Sequence, residues 1–103
     1  MKIYLLHNLT TNRRYVGICK GPLAKVRHNL AADAKRYATG KLPGRGDGSM
    51  IGDVAHYGID QVTIVMLEET PAATARARRN YWISYYGTMW PNGYNTHLHE
   101  VTP

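Results

Sequence analysis

The segment KIYLLHNLTTNRRYVGIC, residues 2 to 19, contains two short apolar runs joined by a polar, turn-prone middle. Side chains of a strand alternate between its two faces, so Tyr4 is expected to share a face with Leu6. The two runs predict a β-hairpin that has the polar middle as its turn. Pairing across this turn would bring Tyr4 close to Tyr15, although tyrosine is also a residue that simply favours strands.

Length and charge limit the classes of protein to which the chain can belong. Its 103 residues suit a single domain, predicted to span residues 1 to 103. The 13 Lys and Arg outnumber the 7 Asp and Glu, which gives a formal net charge of +6 and favours an anionic partner, nucleic acid or a nucleotide. The single cysteine, Cys19, excludes an internal disulfide and supplies no metal-site spacing. No apolar run approaches the roughly 18 residues that cross a membrane, and Met1 leads directly into a strand, so a cytoplasmic protein with no membrane partner is predicted.

A helix is predicted to follow the hairpin, beginning at Gly21 and Pro22 because proline is tolerated in a first helical turn. Lys25 and Asn29 are one turn apart and lie together beside its buried stripe, with His28 on the same flank. The stripe consists of apolar residues at helical spacing: Leu23, Val26, Leu30, Ala34 and Tyr37.

The second half of the chain is predicted to add a short helix, a strand and a long helix. After a glycine-rich loop at residues 38 to 48, Ser49 is expected to cap the short helix and Gly58 to end it. Residues 61 to 68 are mostly apolar at both alternating sets of positions, which predicts a largely buried strand. Thr70 is expected to cap the last helix, which completes the order β-β-α-α-β-α.

The last helix places Arg79 on the same face as Trp82 and Tyr86, because these residues recur at three- and four-residue steps. Arg79 is therefore expected to lie beside an aromatic anchor. The alternative is an arginine whose stem is buried while its charged head reaches water.

Seven short motifs follow one another in order along residues 2 to 95: Ile3-Tyr4, Asn8, Tyr15-Val16-Gly17, His56-Tyr57-Gly58, Leu67-Glu68-Glu69, Tyr81-Trp82-Ile83 and Asn92-Gly93-Tyr94-Asn95. Together they resemble the GIY-YIG domain, the nuclease module of phage homing endonucleases, of some restriction enzymes and of the incision subunit of nucleotide-excision repair. The resemblance implies a small α/β (α+β) domain with a three-stranded antiparallel sheet flanked by helices. It also implies the cytoplasm of a bacterial or phage-infected cell as the location.

The resemblance implies metal-assisted hydrolysis of phosphodiester bonds. The family uses two tyrosines, an arginine and a histidine on the first long helix, a metal-binding glutamate on the last helix, and a closing asparagine. Tyr4, Tyr15 and Asn95 match three of these positions. The arginine and histidine positions hold Lys25 and Asn29 instead.

The glutamate position, counted back from Trp82, holds Arg79. A positively charged side chain thus stands where the family binds a metal cation. A two-residue shift of the first helix would place Arg27 in the arginine position. Hard metal ions need oxygen ligands, so these departures oppose Mg²⁺ and attract a phosphate directly, and no metal site is predicted. The expected ligand-binding set is a basic pocket with tyrosine walls: Tyr4, Tyr15, Lys25, Arg27, His28, Asn29, Arg79 and Asn95.

Three functional hypotheses follow from this pocket. The first is a domain that binds a phosphodiester ligand, either nucleic acid or a small nucleotide, without a cofactor and without metal-dependent cleavage. The second is an active GIY-YIG-type endonuclease with a rearranged site, in which Tyr4 or Tyr15 acts as nucleophile or base. Lys25 and Arg79 would then replace the charge of the metal, and Mg²⁺ is expected only if the usual nuclease chemistry holds. The third is a protein-interaction module that keeps only the fold.

Overall fold

A computed structural model describes residues 1–40 and 49–98 of the chain. The strands are β1 (Lys2–Asn8), β2 (Arg14–Cys19) and β3 (Val62–Glu69), and the α-helices are α1 (Leu23–Ala38), α2 (Met50–Tyr57) and α3 (Ala72–Tyr86). A 3-10 turn, Ile59–Gln61, leads into β3. The three strands form one antiparallel sheet, and the predicted order β-β-α-α-β-α is confirmed.

Strand β1 forms the centre of this sheet, because it pairs with β2 on one side and with β3 on the other. Tyr4 lies opposite Gly17, and Leu6 lies opposite Tyr15. Directly opposed residues of an antiparallel pair share a face, so the two tyrosines lie together as predicted, with ring centroids 6.2 Å apart. A Cβ atom at position 17 would lie 2.3 Å from the Tyr4 ring, so glycine leaves the room that this ring occupies.

Two apolar clusters hold helices on the two faces of the sheet. On the face that carries Leu6, α1 and α2 contribute Leu30 and Val54 to one cluster. On the opposite face, Ile83 of α3 belongs to a second cluster with Ile3. Full burial of one such side chain stabilises the folded protein by about 1.5–3 kcal/mol. The two clusters therefore hold the helices against both faces of the sheet.

The prediction that β3 would be largely buried is wrong, because β3 is an edge strand. Val65 is 51% exposed and Met66 is 50% exposed. A continuous apolar run is typical of a strand covered on both faces. Here the same run lies at the margin of the sheet. Its α3 side stays partly open, because α3 packs mainly on β2 and β1.

The start of α3 also differs from the prediction. The residue before the helix is Pro71, which provides no side-chain cap, whereas Thr70 was expected to provide one. The amide of Thr70 donates to the carbonyl of Met1 at 2.9 Å, and its hydroxyl shares a hydrogen bond with the Thr74 hydroxyl. Thr70 therefore prolongs the pairing of β3 with β1 instead of capping the helix.

The two helices on the other face agree more closely with expectation. The first begins directly after Pro22 and extends through Ala38, the first residue of the predicted loop. Thr39 and Gly40 form a turn, and residues 41 to 48 of that loop prediction lie outside the described residues. Ser49 caps α2 as predicted, since its Oγ accepts a hydrogen bond from the Gly52 amide at 3.1 Å. No helix in the described ranges is long and apolar enough to cross a membrane.

Asn95 fastens the segment after α3 to the outer edge of β2. Its completely buried side chain accepts a hydrogen bond from the Val16 amide at 2.9 Å through Oδ1 and donates to the Val16 carbonyl at 3.0 Å through Nδ2. The Thr88 hydroxyl donates to the same Oδ1 at 2.6 Å. A side-chain amide thus takes the place of the neighbouring strand that β2 lacks on this side.

Replacing Asn95 should therefore destabilise the whole fold. We expect Asn95→Ala to lower the free energy of unfolding by about 3 kcal/mol, because buried groups on Val16 and Thr88 lose their partners. Asn29→Ala is the matched control at an exposed helical position and should change this free energy by less than about 0.5 kcal/mol. Denaturant-induced unfolding measures both changes, and equal effects would contradict the structural role of Asn95.

Candidate functional site

A cavity of about 670 Å³ opens beside β2, between the two helical layers. Its wall includes side chains from α1, β2, α3 and the segment after α3: Tyr15, Asp33, Arg79, Trp90, Tyr94 and His97. Small-molecule sites commonly enclose about 300–1,000 Å³ and combine apolar walls with a few polar groups. The cavity has the volume and the mixed lining of such a site.

Arg79 brings a buried positive charge to the cavity wall. Its side chain sits on α3 with 4% of the residue exposed, and its Nε donates to the Val16 carbonyl at 3.2 Å. The guanidinium carbon lies 6.0 Å from the centre of the Tyr15 ring. Its Nη1 is buried and has no hydrogen-bond acceptor in the described part of the chain. A buried donor without an acceptor is costly, and an acceptor that reached Nη1 would remove this cost.

Tyr4 lies behind Tyr15 and does not line the cavity itself. Burial raises the pKa of the Tyr4 phenol well above its usual value, and the neighbouring Tyr15 and Cys19 add to this rise. The phenol is therefore neutral over the physiological range of pH. Tyr4 supports the ring of Tyr15 in this arrangement.

Tyr94 connects the cavity to the buried carboxylate of Asp53. The Tyr94 hydroxyl donates to Asp53 Oδ2 at 2.7 Å and shares a hydrogen bond of 2.8 Å with the Thr11 hydroxyl. Burial raises the pKa of Tyr94, the bond to Asp53 adds to the rise and the bond with Thr11 opposes it. These contacts join the hairpin turn, α2 and the segment after α3, and so they hold the shape of the cavity.

The predicted residues of α1 do not enter the cavity. The guanidinium of Arg27 donates to the main-chain carbonyls of Val62 and Ile59, the latter at 2.9 Å, because its long side chain reaches across to the start of β3. Three further predicted residues are exposed on α1 and do not line the cavity: Lys25, His28 and Asn29. Tyr15 and Arg79 are thus the predicted residues that the structure brings together at the wall.

Several residues of the wall carry no clear signal in the sequence. Trp90 and His97 follow α3 in a segment without a periodic pattern. Asp33 lies one helical turn beyond Asn29 on α1, yet Asn29 does not line the cavity, so helical spacing alone does not identify Asp33. Arg13 of the hairpin turn lies over the Trp90 ring, 5.0 Å from its centre.

The side chains of the cavity do not fit a divalent cation. Such ions take oxygen ligands, whereas the guanidinium of Arg79 occupies the position on α3 where the resemblance implies a glutamate. The carboxylate of Asp33 lines the cavity, and it pairs with Arg36 at 3.7 Å. Across residues 1–40 and 49–98, no three His, Cys, Asp or Glu side chains are grouped so that they could hold a metal ion. The wall instead presents the positively charged guanidinium of Arg79 to an anionic ligand.

The raised pKa values of Tyr4 and Tyr94 predict a loss of stability in alkaline solution. Above the ordinary pKa of about 10 the unfolded chain releases these protons while the folded protein keeps them. The stabilisation is complete below pH 10 or so and is lost as the pH rises towards the folded pKa. Tyr4→Phe should flatten the decline in unfolding free energy by about 1.4 kcal/mol per pH unit above about pH 10. Denaturant unfolding across this range is the measurement, and parallel profiles for the two proteins would contradict the effect of burial.

Two solved structures of an endonuclease catalytic domain superpose on the chain. A mutant of the catalytic domain of intron endonuclease I-TevI is 23% identical and superposes with a TM-score of 0.71, covering 99% of this chain and 100% of that chain. The catalytic domain of homing endonuclease I-TevI, also 23% identical, gives a TM-score of 0.70 over 94% of this chain and 99% of that chain. No protein-family model and no curated protein sequence matches the chain. The chain has the GIY-YIG nuclease fold that its motifs predict.

Proposed function

We propose that the protein binds a phosphate-bearing ligand, nucleic acid or a small nucleotide, in the cavity beside β2, without a cofactor and without metal-dependent cleavage. The observation that carries this proposal is the buried Nη1 of Arg79, for which the described residues supply no acceptor. The bond from Nε to the Val16 carbonyl already holds the guanidinium in place. A ligand oxygen would therefore gain a charge-assisted hydrogen bond with little loss of side-chain entropy.

The aromatic walls favour a nucleotide over inorganic phosphate. Tyr15, Tyr94 and Trp90 border the cavity, and aromatic rings provide surfaces on which a base or a sugar can pack. The carboxylate of Asp33 repels a bare anion, yet it accepts hydrogen bonds from amino or hydroxyl groups. A ligand that combines a phosphate with amino or hydroxyl groups can bond to both Arg79 and Asp33.

The overall charge and the fold agree with a nucleic-acid partner. The net charge of +6 attracts phosphate groups over distances longer than a hydrogen bond. The similar structures are catalytic domains of endonucleases. The cavity beside β2 is walled by an arginine, which supports holding an anion over cutting it through a bound metal ion.

Binding measurements test the role of Arg79. Nucleoside monophosphates and short oligonucleotides should bind in calorimetric titrations, and Arg79→Gln should weaken binding at least tenfold, since a hydrogen bond to a charged group is worth about 1.5–3 kcal/mol. Lys35→Gln removes a positive charge from an exposed site and serves as the control. Arg79→Lys retains the charge and separates lost binding from lost folding. Affinity for an oligonucleotide should fall steeply with salt, and unchanged affinity in folded Arg79→Gln would contradict the proposal.

Cleavage assays test the second half of the proposal. Single-stranded, duplex and branched DNA and RNA should remain intact in the presence and in the absence of Mg²⁺ or Mn²⁺, because the wall opposes a divalent cation. The measurement is electrophoresis of labelled substrates after prolonged incubation. Cleavage that depends on the metal and stops on addition of EDTA would contradict a metal-free site.

A further inference from the structure

Among the described residues, contacts close the outer edge of β3, on the side away from β1, only at its start. The amide of Leu9 donates to the Gln61 carbonyl at 2.8 Å, so this carbonyl points towards the hairpin. Successive carbonyls of a strand point in opposite directions, and the carbonyl of Val62 accordingly points outward. Arg27 of α1 donates to it there. The side chain of Arg27 thus marks the beginning of the outer edge.

The stretch beyond Val62 is open until the bulge at Leu67, where the pairing of β3 with β1 shifts register. By the same alternation, the main-chain amides and carbonyls of Ile64 and Met66 point outward. Within residues 1–40 and 49–98, no hydrogen bond reaches these groups from outside the strand. The side chains of Val65 and Met66 are half exposed beside them. The edge therefore offers unpaired main-chain groups between apolar side chains.

This edge lacks the features by which soluble proteins normally prevent strand pairing. Proline, lysine and inward-facing charges are the usual guards of an edge strand, and residues 63 to 66, Thr-Ile-Val-Met, contain none of them. On the α3 side of the sheet, Tyr81 and Tyr85 are also exposed. Trp82 of the same helix donates a hydrogen bond to Glu68 at the end of β3. An unguarded apolar edge of this kind is an association surface.

We propose that two copies of the protein pair through β3 in antiparallel orientation, which joins their three-stranded sheets into one continuous sheet. A two-fold axis requires that contacts between the copies be reciprocal. Outward-pointing residues form the hydrogen-bonded pairs, and pairing Ile64 of each copy with Met66 of the other uses the open groups of both residues. Val65 then lies on the axis, opposite its own symmetry mate.

Charge favours a second copy over nucleic acid at this edge. Glu69 follows the open stretch and repels phosphate groups, while the carboxylate of Glu68 beside it is paired with Arg78. In the reciprocal register Glu68 faces Val62 of the other copy, so no two carboxylates oppose each other. A strand edge is narrower than the roughly 800 Å² per partner that stable interfaces bury, so the dimer is weak and depends on concentration. The edge lies on the margin of the sheet opposite the cavity, which stays open.

Disulfide cross-linking tests the register directly. In a Cys19→Ser background, Val65→Cys places two thiols across a pair whose Cα atoms lie about 4.5 Å apart, within the 4.4–6.8 Å span of a disulfide. Thr63→Cys is the matched control, because it is exposed on the same face but its symmetry mate lies four positions along the strand, roughly 13 Å away. Mild oxidation should give at least tenfold more covalent dimer for Val65→Cys. Equal yields, or no dimer from either variant, would overturn the proposal.

Sedimentation equilibrium tests the dimer in the unmodified protein. The average mass should rise towards that of a dimer as concentration increases, and Val65→Lys should weaken association at least tenfold because it places like charges together on the axis. Leu9→Lys makes the same change at a side chain that is equally open, at 55% exposed, on the hairpin turn, and should associate normally. A native protein that remains monomeric at millimolar concentration, or undiminished association of Val65→Lys, would overturn the proposal. Neither outcome bears on ligand binding in the cavity.

Discussion

The contact between the side-chain amide of Asn95 and the main chain of Val16 is the interaction on which the candidate site depends. It closes the edge of β2 with a side chain, and the same Val16 carbonyl also accepts the Nε bond of Arg79. An amide can meet one donor and one acceptor of the main chain in a single orientation. The segment after α3 is therefore held in one position, and this position sets Trp90 and Tyr94 against the cavity.

The charge on α3 is the second constraint, because burying a guanidinium is costly unless its donors are satisfied. The Val16 carbonyl accepts a hydrogen bond from Nε of Arg79, whereas Nη1 of Arg79 has no acceptor among the described residues. Leaving a buried donor unpaired costs about 1–3 kcal/mol, and on the proposed function a bound phosphate oxygen removes this cost. The position where the resemblance implies a metal-binding glutamate thus carries a guanidinium, which on the proposed function contacts the anion itself.

The parts of the structure that were predictable from the sequence are those governed by local periodicity. Strand alternation and pairing across the hairpin turn placed Tyr4 near Tyr15. The resemblance, counted back from Trp82, singled out Arg79, which lines the cavity. The exposure of β3 was not predictable, because an apolar run looks alike in an edge strand and in a central strand. The contact of Arg27 with main-chain carbonyls and the place of Trp90 both depend on distances across the fold that spacing does not reveal.

A crystal structure of the protein with a bound nucleoside monophosphate tests the central claim most directly. We predict a phosphate oxygen within about 3 Å of Nη1 of Arg79, with the base or the ribose against Trp90 or Tyr94. The donor set of the cavity further predicts direct contact between phosphate and guanidinium, with no cation between them. A ligand that lies outside the cavity, or a divalent cation that bridges its phosphate to the protein, would contradict this claim.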